Sequence, residues 1–140
     1  MNKTNGIYYV SRHSCFLLQY HMVLVTKYRK PVLQGEVRDY VYSLIAETLK
    51  NRGCNLIDIN GEADHVHIMF EADPGTSLME TANVLKTRTA RMTRKRYPDE
   101  VHQYFWGEKP LFWSASYFVT TVGYNNVDAV ARYIQNQGQD

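Results

Sequence analysis

The sequence predicts an α+β domain built on a ferredoxin-like split βαβ antiparallel sheet, with helices on one face and an extra C-terminal helix. Three observations carry that expectation. Runs rich in β-branched and aromatic residues alternate with stripes of apolar residues at helical spacing, in the order strand, helix, strand, strand, helix, strand, helix. Two of the strands follow each other directly across a glycine-containing connection, which suits a hairpin. The chain has 140 residues, 44% hydrophobic and 21% charged, the size and composition of one domain with one core, so residues 1–140 read as a single unit.

Each element has its own signal. Phe16 to Tyr28 is dense in aromatic and β-branched residues and ends at a basic segment containing Pro31, the pattern of a core strand. Glu36 to Asn51 places Val37, Val41, Leu44, Ile45, Thr48 and Leu49 on one helical face, and Gly53 follows as a stop. Cys54 to Asn60 alternates, and after Gly61 the segment His65 to Glu71 reads as its hairpin partner. Pro74 and Gly75 break the chain. Ser77, with Glu80 three residues on, then has the form of a capping box that opens a second helix. Along it Leu78, Ala82, Leu85, Thr89 and Met92 form the packing stripe, while Arg88, Arg91 and Lys95 fall on another, outward face. Tyr97-Pro98 ends that helix. A looser aromatic region through Trp106 and Trp113 leads to a strand at Ser116 to Val122, closed by Gly123. The last helix spans Asn126 to Asn136, with Val127, Val130, Ala131 and Ile134 in register and Asn125 or Asn126 as N-cap.

Composition narrows the function classes. No run approaches the ~20 apolar residues that cross a bilayer, and Met1 to Ser14 lacks the apolar block of a secretory signal, so a cytoplasmic address without a membrane partner is expected. Cys15 and Cys54 form no CxxC pair and read as reduced, buried thiols. Net charge is only +2, but the cations cluster: Lys27, Arg29 and Lys30 in one group, and Lys86, Arg88, Arg91, Arg94, Lys95 and Arg96 in a denser one. Clusters of that kind, near tyrosines and tryptophans, suit phosphate contacts and base stacking on a nucleic acid; the bland alternative is a solvated helix face.

The sharpest chemical signal is His65-Val66-His67. Residues i and i+2 of a strand point to the same side, so both imidazoles can converge on one metal ion, although such a pair can equally be structural. Histidine-triad hydrolases would need a third alternating histidine where Met69 stands, two-histidine phosphoesterases need two separate His-x-Ser/Thr motifs, and cupin sites need an all-β jelly roll.

Beyond the pair, a basic helix follows, then Trp113, Tyr117 and Phe118 in a Trp-x-x-x-Tyr-Phe strand, then Tyr133, Ile134 and Gln137 in a terminal Tyr-Ile-x-x-Gln helix. With Tyr28-Arg29, Pro31-Val32-Leu33 and Asp64 before His65, this series resembles the single-tyrosine HUH transposases, TnpA, of small bacterial insertion sequences, from about Phe16 to Gln137. The resemblance implies that His65, His67 and Gln137 are metal ligands and that Tyr133 is the nucleophile. Tyr133 and Gln137, four residues apart, would share one side of a helix. It implies cleavage and rejoining of single-stranded DNA at insertion-sequence ends through a 5′-phosphotyrosine, with Lys27, Arg29, Lys30, Lys86, Arg88 and Arg91 contacting DNA and hairpins as the bound form. It also implies Mg²⁺ as cofactor, which Mn²⁺ can replace, and a homodimer whose active sites can be shared between subunits. On ligand softness alone, two imidazoles and an amide suit Mn²⁺ or Zn²⁺ at least as well. The competing expectations are a domesticated relative that processes repetitive palindromic DNA, a non-catalytic nucleic-acid-binding module, and a metal-dependent phosphoesterase of small nucleotides.

Overall fold

A computed structural model describes residues 3–4, 8–122 and 127–139. Its elements in chain order are β1 (Lys3–Thr4), β2 (Tyr8–Val10), β3 (Cys15–Phe16), β4 (Leu18–Val25), a 3₁₀ turn (Lys27–Arg29), α1 (Gly35–Asn51), β5 (Asn55–Glu62), β6 (His65–Ala72), α2 (Leu78–Arg96), α3 (Pro98–His102), β7 (Phe118–Thr121), α4 (Val127–Asn136) and a closing 3₁₀ turn (Gln137–Gln139). The main sheet runs β5-β6-β4-β7 with every neighbouring pair antiparallel. Numbered one to four along the chain, its strands lie in the order 2-3-1-4, which is the split βαβ arrangement the sequence predicts.

Register decides what each face of the sheet does. Met22 and Leu24 of β4 and Val66, Ile68 and Phe70 of β6 point to one side, where they bury against Val37, Val41, Ile45 and Leu49 of α1 and Ala82 and Leu85 of α2. Val23 and Val25 point to the other side and form a separate apolar cluster with Val130 of α4, joined at its margin by Phe118, Tyr133 and Ile134. Fully burying side chains of this size contributes roughly 1.5–3 kcal/mol each, enough to dock a helix of ten residues that would be marginal alone. The two long helices thus share one face, and α4 covers the opposite one.

The Ser77 cap and the Gly53 stop are present. Ser77 Oγ accepts from the Glu80 N–H at 3.1 Å, and Gly53 takes φ +75 just past α1, where a side chain would be strained. The α2 stripe is more polar than expected: Thr81, Ala82, Leu85, Thr89 and Thr93 are its buried residues, and Met92 is only half-buried. Thr81 and Thr89 satisfy their hydroxyls by donating to the Ser77 and Leu85 carbonyls, at 2.8 and 2.7 Å, so burial leaves neither unpaired.

Several expectations are corrected. The first core strand ends at Val25, not Tyr28, because Tyr28 and Arg29 adopt positive φ and turn the chain. Strand β5 runs on to Glu62, so the hairpin turns at Ala63-Asp64 and Gly61 lies inside the strand. Pro98–His102 forms an additional short helix, and Phe118–Thr121 is a shorter strand than Ser116–Val122. Before β4 the described residues form a small three-stranded sheet, β1-β2-β3. There the Tyr9 hydroxyl, Asn55 Nδ2 and Gln19 Nε2 donate to the fully buried Glu71 carboxylate at 2.5, 2.9 and 2.9 Å, which supplies the partners a buried charge needs. Cys54 is buried as expected, but Cys15 is exposed at the sheet edge. Gly123 and the caps Asn125 and Asn126 lie outside the described residues.

Candidate active site

Antiparallel pairing sets His65 opposite Val25 and His67 opposite Val23, so both imidazoles stand on the sheet face that α4 covers. Their ring centroids are 5.0 Å apart. The hairpin that presents them depends on Gly61, where an added Cβ would lie 2.3 Å from the His65 carbonyl oxygen; only glycine lets β5 approach there.

The pair is held by neighbours from three elements. Asp64 Oδ1 meets His65 Nδ1 at 2.7 Å, and Asp64 Oδ2 accepts from Arg29 Nε at 3.0 Å. Arg29 reaches that position from the left-handed turn, where consecutive positive φ values at Tyr28 (57°) and Arg29 (53°) cost of order 1 kcal/mol each. Buried Thr26 fastens this turn to the hairpin: its hydroxyl donates to the Lys30 carbonyl at 2.7 Å and its N–H to the Asp64 carbonyl at 2.9 Å. Across β4, His21 Nε2 and His67 Nδ1 lie 2.9 Å apart. Sequence reasoning did not identify His21 and Asp64 as site residues. For Asp64 the signal was its position beside His65; for His21 only the strand pairing reveals it.

Electrostatics keep the site ready for a cation. The His67 pKa falls from 6.5 to about 4, first because burial disfavours the charged ring and then because His65 and His21 would add like charge, so His67 is neutral near pH 7. Burial also lowers His21. At Asp64 burial pushes the pKa up, but hydrogen bonds from His65 and Arg29, and their charges, outweigh it and hold the carboxyl below its ordinary value.

Whether the donor set fits a metal follows from these contacts. With Nδ1 of each ring engaged, Nε2 is the nitrogen left for coordination on both. A carboxylate oxygen of Glu62 lies within 4.8 Å of potential ligand atoms of Asp64 and His65. Two imidazoles with carboxylates alongside suit a divalent cation.

The second group of predicted residues meets at Ser116. Its hydroxyl lies 2.8 Å from the Tyr133 hydroxyl and donates to Gln137 Oε1 at 3.3 Å, so one serine just before β7 gathers the predicted nucleophile and the predicted third ligand. The Tyr133 ring rests on Phe118 at 5.4 Å, and Phe118 pairs with Val23, which on its other side pairs with His67. The phenol and the imidazoles therefore share a sheet face with β4 between them, and the Tyr133 hydroxyl is turned toward Ser116. Beyond Tyr133, the closing 3₁₀ turn lies against the Lys27–Arg29 turn, with the Arg29 side chain within 2.9 Å of where a Cβ on Gly138 would be.

The family model described as "Transposase IS200 like" matches residues 14–137. The chain belongs to this transposase family. Among its relatives, the ISDra2 transposase TnpA of Deinococcus radiodurans is 30% identical over 122 residues, covering 87% of this chain and 85% of the relative. The transposase for insertion sequence element IS200 of Salmonella typhimurium is 29% identical over 125 residues, covering 89% and 80%. A crystal structure from Deinococcus radiodurans R1, described as that of a candidate transposase, superposes with a TM-score of 0.84 at 29% identity over 92% of this chain and 97% of the other. The fold is shared further with a REP-associated tyrosine transposase bound to a REP hairpin, at a TM-score of 0.53 and 9% identity over 89% of this chain and 70% of that one. The IS200-like match spans both groups of site residues, the histidine hairpin and the Tyr133 helix.

The predicted basic residues divide. Arg88 is half-buried and engaged: its guanidinium donates to Thr48 Oγ1 at 2.7 Å and to Glu47 at 2.9 Å, bracing α2 against α1, while it lines a surface groove with Arg91. Lys86 donates to the Ser116 carbonyl at 3.2 Å and lines a groove with Arg91, Arg94 and the Pro110–Ala115 segment. At the other end, Lys27 lies over the Tyr28 ring and Lys30 over the exposed Trp106 ring, at 5.1 and 5.7 Å. No described helix is long and apolar enough to cross a membrane.

Proposed function

We propose that this transposase cuts and rejoins single-stranded DNA at insertion-element ends, with Tyr133 as nucleophile and a Mg²⁺ or Mn²⁺ ion held by His65, His67 and Gln137. The observation that carries the reading is the common sheet face: a pair of imidazoles with free Nε2 atoms and a helix-borne phenol stand on the same side of β4. A bound divalent cation would neutralise phosphate charge and orient the phosphorus for attack.

In this reading Tyr133 Oη attacks the phosphorus. A bond forms between that oxygen and phosphorus, the bond to the 3′ oxygen breaks, and the departing strand leaves as a 3′ hydroxyl. The phenol, with an ordinary pKa near 10, gives up its proton as it attacks. The 5′-phosphotyrosine conserves the phosphodiester energy, so a second 3′ hydroxyl can reverse the step and join without ATP. Lys86 beside Ser116, Arg91 in the adjoining groove, and Lys27 and Lys30 beside Tyr28 and Trp106 would hold phosphates and stack unpaired bases on the approach to that site. DNA hairpins are the proposed bound form, as a REP hairpin is in the REP-associated transposase that shares the fold.

The phenol must leave Ser116 to reach a phosphate bound at the histidines. Either α4 of the same subunit swings across β4, or the α4 of a second subunit delivers the tyrosine; we favour a homodimer that shares its sites in the second way.

The test uses end-labelled single-stranded oligonucleotides carrying a hairpin, incubated with protein and Mn²⁺ or Mg²⁺. A denaturant-resistant protein–DNA adduct is expected, lost in Tyr133→Phe and on chelation. A protein that binds the hairpin yet forms no adduct under any metal is a binding module, and release of free 5′-phosphate without adduct marks a hydrolase; either result overturns the reading.

A further inference from the structure

We propose that His21 is a positioning residue for the metal centre: it accepts a hydrogen bond from His67 Nδ1–H and so holds His67 in the tautomer that leaves Nε2 free for a cation. The inference rests on the metal-site reading above and adds to it a residue outside the histidine motif.

The geometry begins in the strand pairing. His21 pairs with Met69 and Val23 with His67, so His21 is the diagonal neighbour of His67 on one face of two adjacent strands, a relation within reach of long and aromatic side chains. The contact is made between ring nitrogens, Nε2 of His21 and Nδ1 of His67, at 2.9 Å, with ring centroids 5.1 Å apart. A neutral imidazole carries a single N–H. If that hydrogen is on Nδ1 of His67, it points at His21 and the Nε2 lone pair is open; if it is on Nε2, the ring cannot bind a metal there. Whatever accepts from Nδ1 therefore selects the coordinating form.

His65 has the equivalent device in another chemical form. Its Nδ1 faces the Asp64 carboxylate, which accepts only, and Asp64 is itself fixed by Arg29. An outer partner on the far nitrogen of each imidazole is what metal-binding histidines require to keep tautomer and ring orientation. The two partners differ in strength. A carboxylate holds His65 firmly, whereas a neutral ring can accept from His67 or donate to it. His21 is thus the side on which the pair can be mis-set, and substitutions there should show it.

The decisive measurement is Mn²⁺ binding to DNA-free protein by calorimetry, with three variants. His21→Phe keeps a ring and removes the acceptor, His21→Gln restores an acceptor through its amide oxygen, and His67→Ala removes the ligand. Removing an outer partner typically lowers metal affinity 10–100-fold. We expect about tenfold weaker binding in His21→Phe, recovery to within about threefold of wild type in His21→Gln, and abolished binding in His67→Ala. Long-range ¹H–¹⁵N spectra of the Zn²⁺-loaded protein should place the His67 proton on Nδ1. Unfolding midpoints are measured alongside, because a packing role alone would lower stability in His21→Phe without a recovery of affinity in His21→Gln. If wild type binds Mn²⁺ through His67 but His21→Phe binds it equally well, the positioning role is wrong while the metal site stands. If wild type binds no Mn²⁺, or His67→Ala binds as wild type, the metal-site reading itself fails.

Discussion

Arg88 and Arg91 lie three residues apart on α2 in different surroundings: the Arg88 guanidinium is bonded to α1, and Arg91 is exposed. Replacing Arg88 by Met keeps the apolar stem and removes the guanidinium. That group donates to Thr48 Oγ1 at 2.7 Å and to the Glu47 carboxylate at 2.9 Å, with side-chain exposures of 27% for Arg88 and 57% for Glu47. A charge-assisted bond to a buried hydroxyl contributes about 1.5 kcal/mol. The half-exposed ion pair adds about 0.5 kcal/mol once screening is allowed for. Thr48 still donates to the Leu44 carbonyl at 2.7 Å, so the variant strands no donor there. Arg88→Met should therefore be about 2 kcal/mol less stable in urea unfolding, with the affinity of the remaining folded protein for single-stranded DNA within about twofold of wild type. Arg91→Ala should behave oppositely. Its exposed side chain borders the groove with Lys86 and Arg94, so stability should stay within about 0.5 kcal/mol while DNA affinity falls. The slope of log K against log salt should become shallower by about 0.7, the value for one cation withdrawn from a single-strand phosphate. Both quantities come from urea titration and fluorescence anisotropy on the same preparations. An Arg88→Met protein as stable as wild type, with the flattened salt dependence, would refute the assignment and return Arg88 to the DNA face.

Other outcomes follow from the same interactions. Because the His67 pKa drops from 6.5 to about 4 on folding, the unfolded chain binds more protons between those values. Its contribution is complete above about pH 6.5 and disappears as pH falls toward 4; discounted for half-burial it is roughly 1–2 kcal/mol, visible in metal-free unfolding curves and absent in His67→Asn. Two imidazoles and an amide favour softer ions, so calorimetry should find Mn²⁺ bound more tightly than Mg²⁺, and the reverse order would argue for an all-oxygen site such as Glu62 with Asp64. Mixing Tyr133→Phe with His65→Ala subunits should restore cleavage at one of the two sites if subunits exchange helices; no recovery, with mixed dimers verified, would assign tyrosine and histidines to the same chain.

The fold was largely legible because its signals are local. The apolar stripe Val37–Leu49, the Ser77 cap and the Gly53 stop each act within a few residues, and each stands where periodicity placed it. The parts that counting did not reach depend on partners far along the chain. Tyr9 meets Glu71 across 62 residues, and the Arg88 contacts with Glu47 and Thr48 span 41 and 40. Strand β4 ends early because Tyr28 and Arg29 take positive φ, a turn fastened by the Thr26 bonds to Asp64 thirty-eight residues away.

The same distinction explains the site. His65 and His67 are two apart on one strand and Tyr133 and Gln137 four apart on one helix, so each pair can be read by counting. Their supports cannot: His21 reaches His67 only through the β4–β6 register, and Ser116 reaches Tyr133 only because α4 folds back over β7. A one-residue slip of β4 against β6 would turn His21 to the core face and break its bond to His67 while leaving the histidine motif intact. The proposed chemistry thus rests on two short motifs, but their alignment is a property of the sheet. Residues that set the register, Gly61 beside the His65 carbonyl and Thr26 on the Asp64 turn, should be as intolerant of substitution as the proposed ligands, and for a geometric reason.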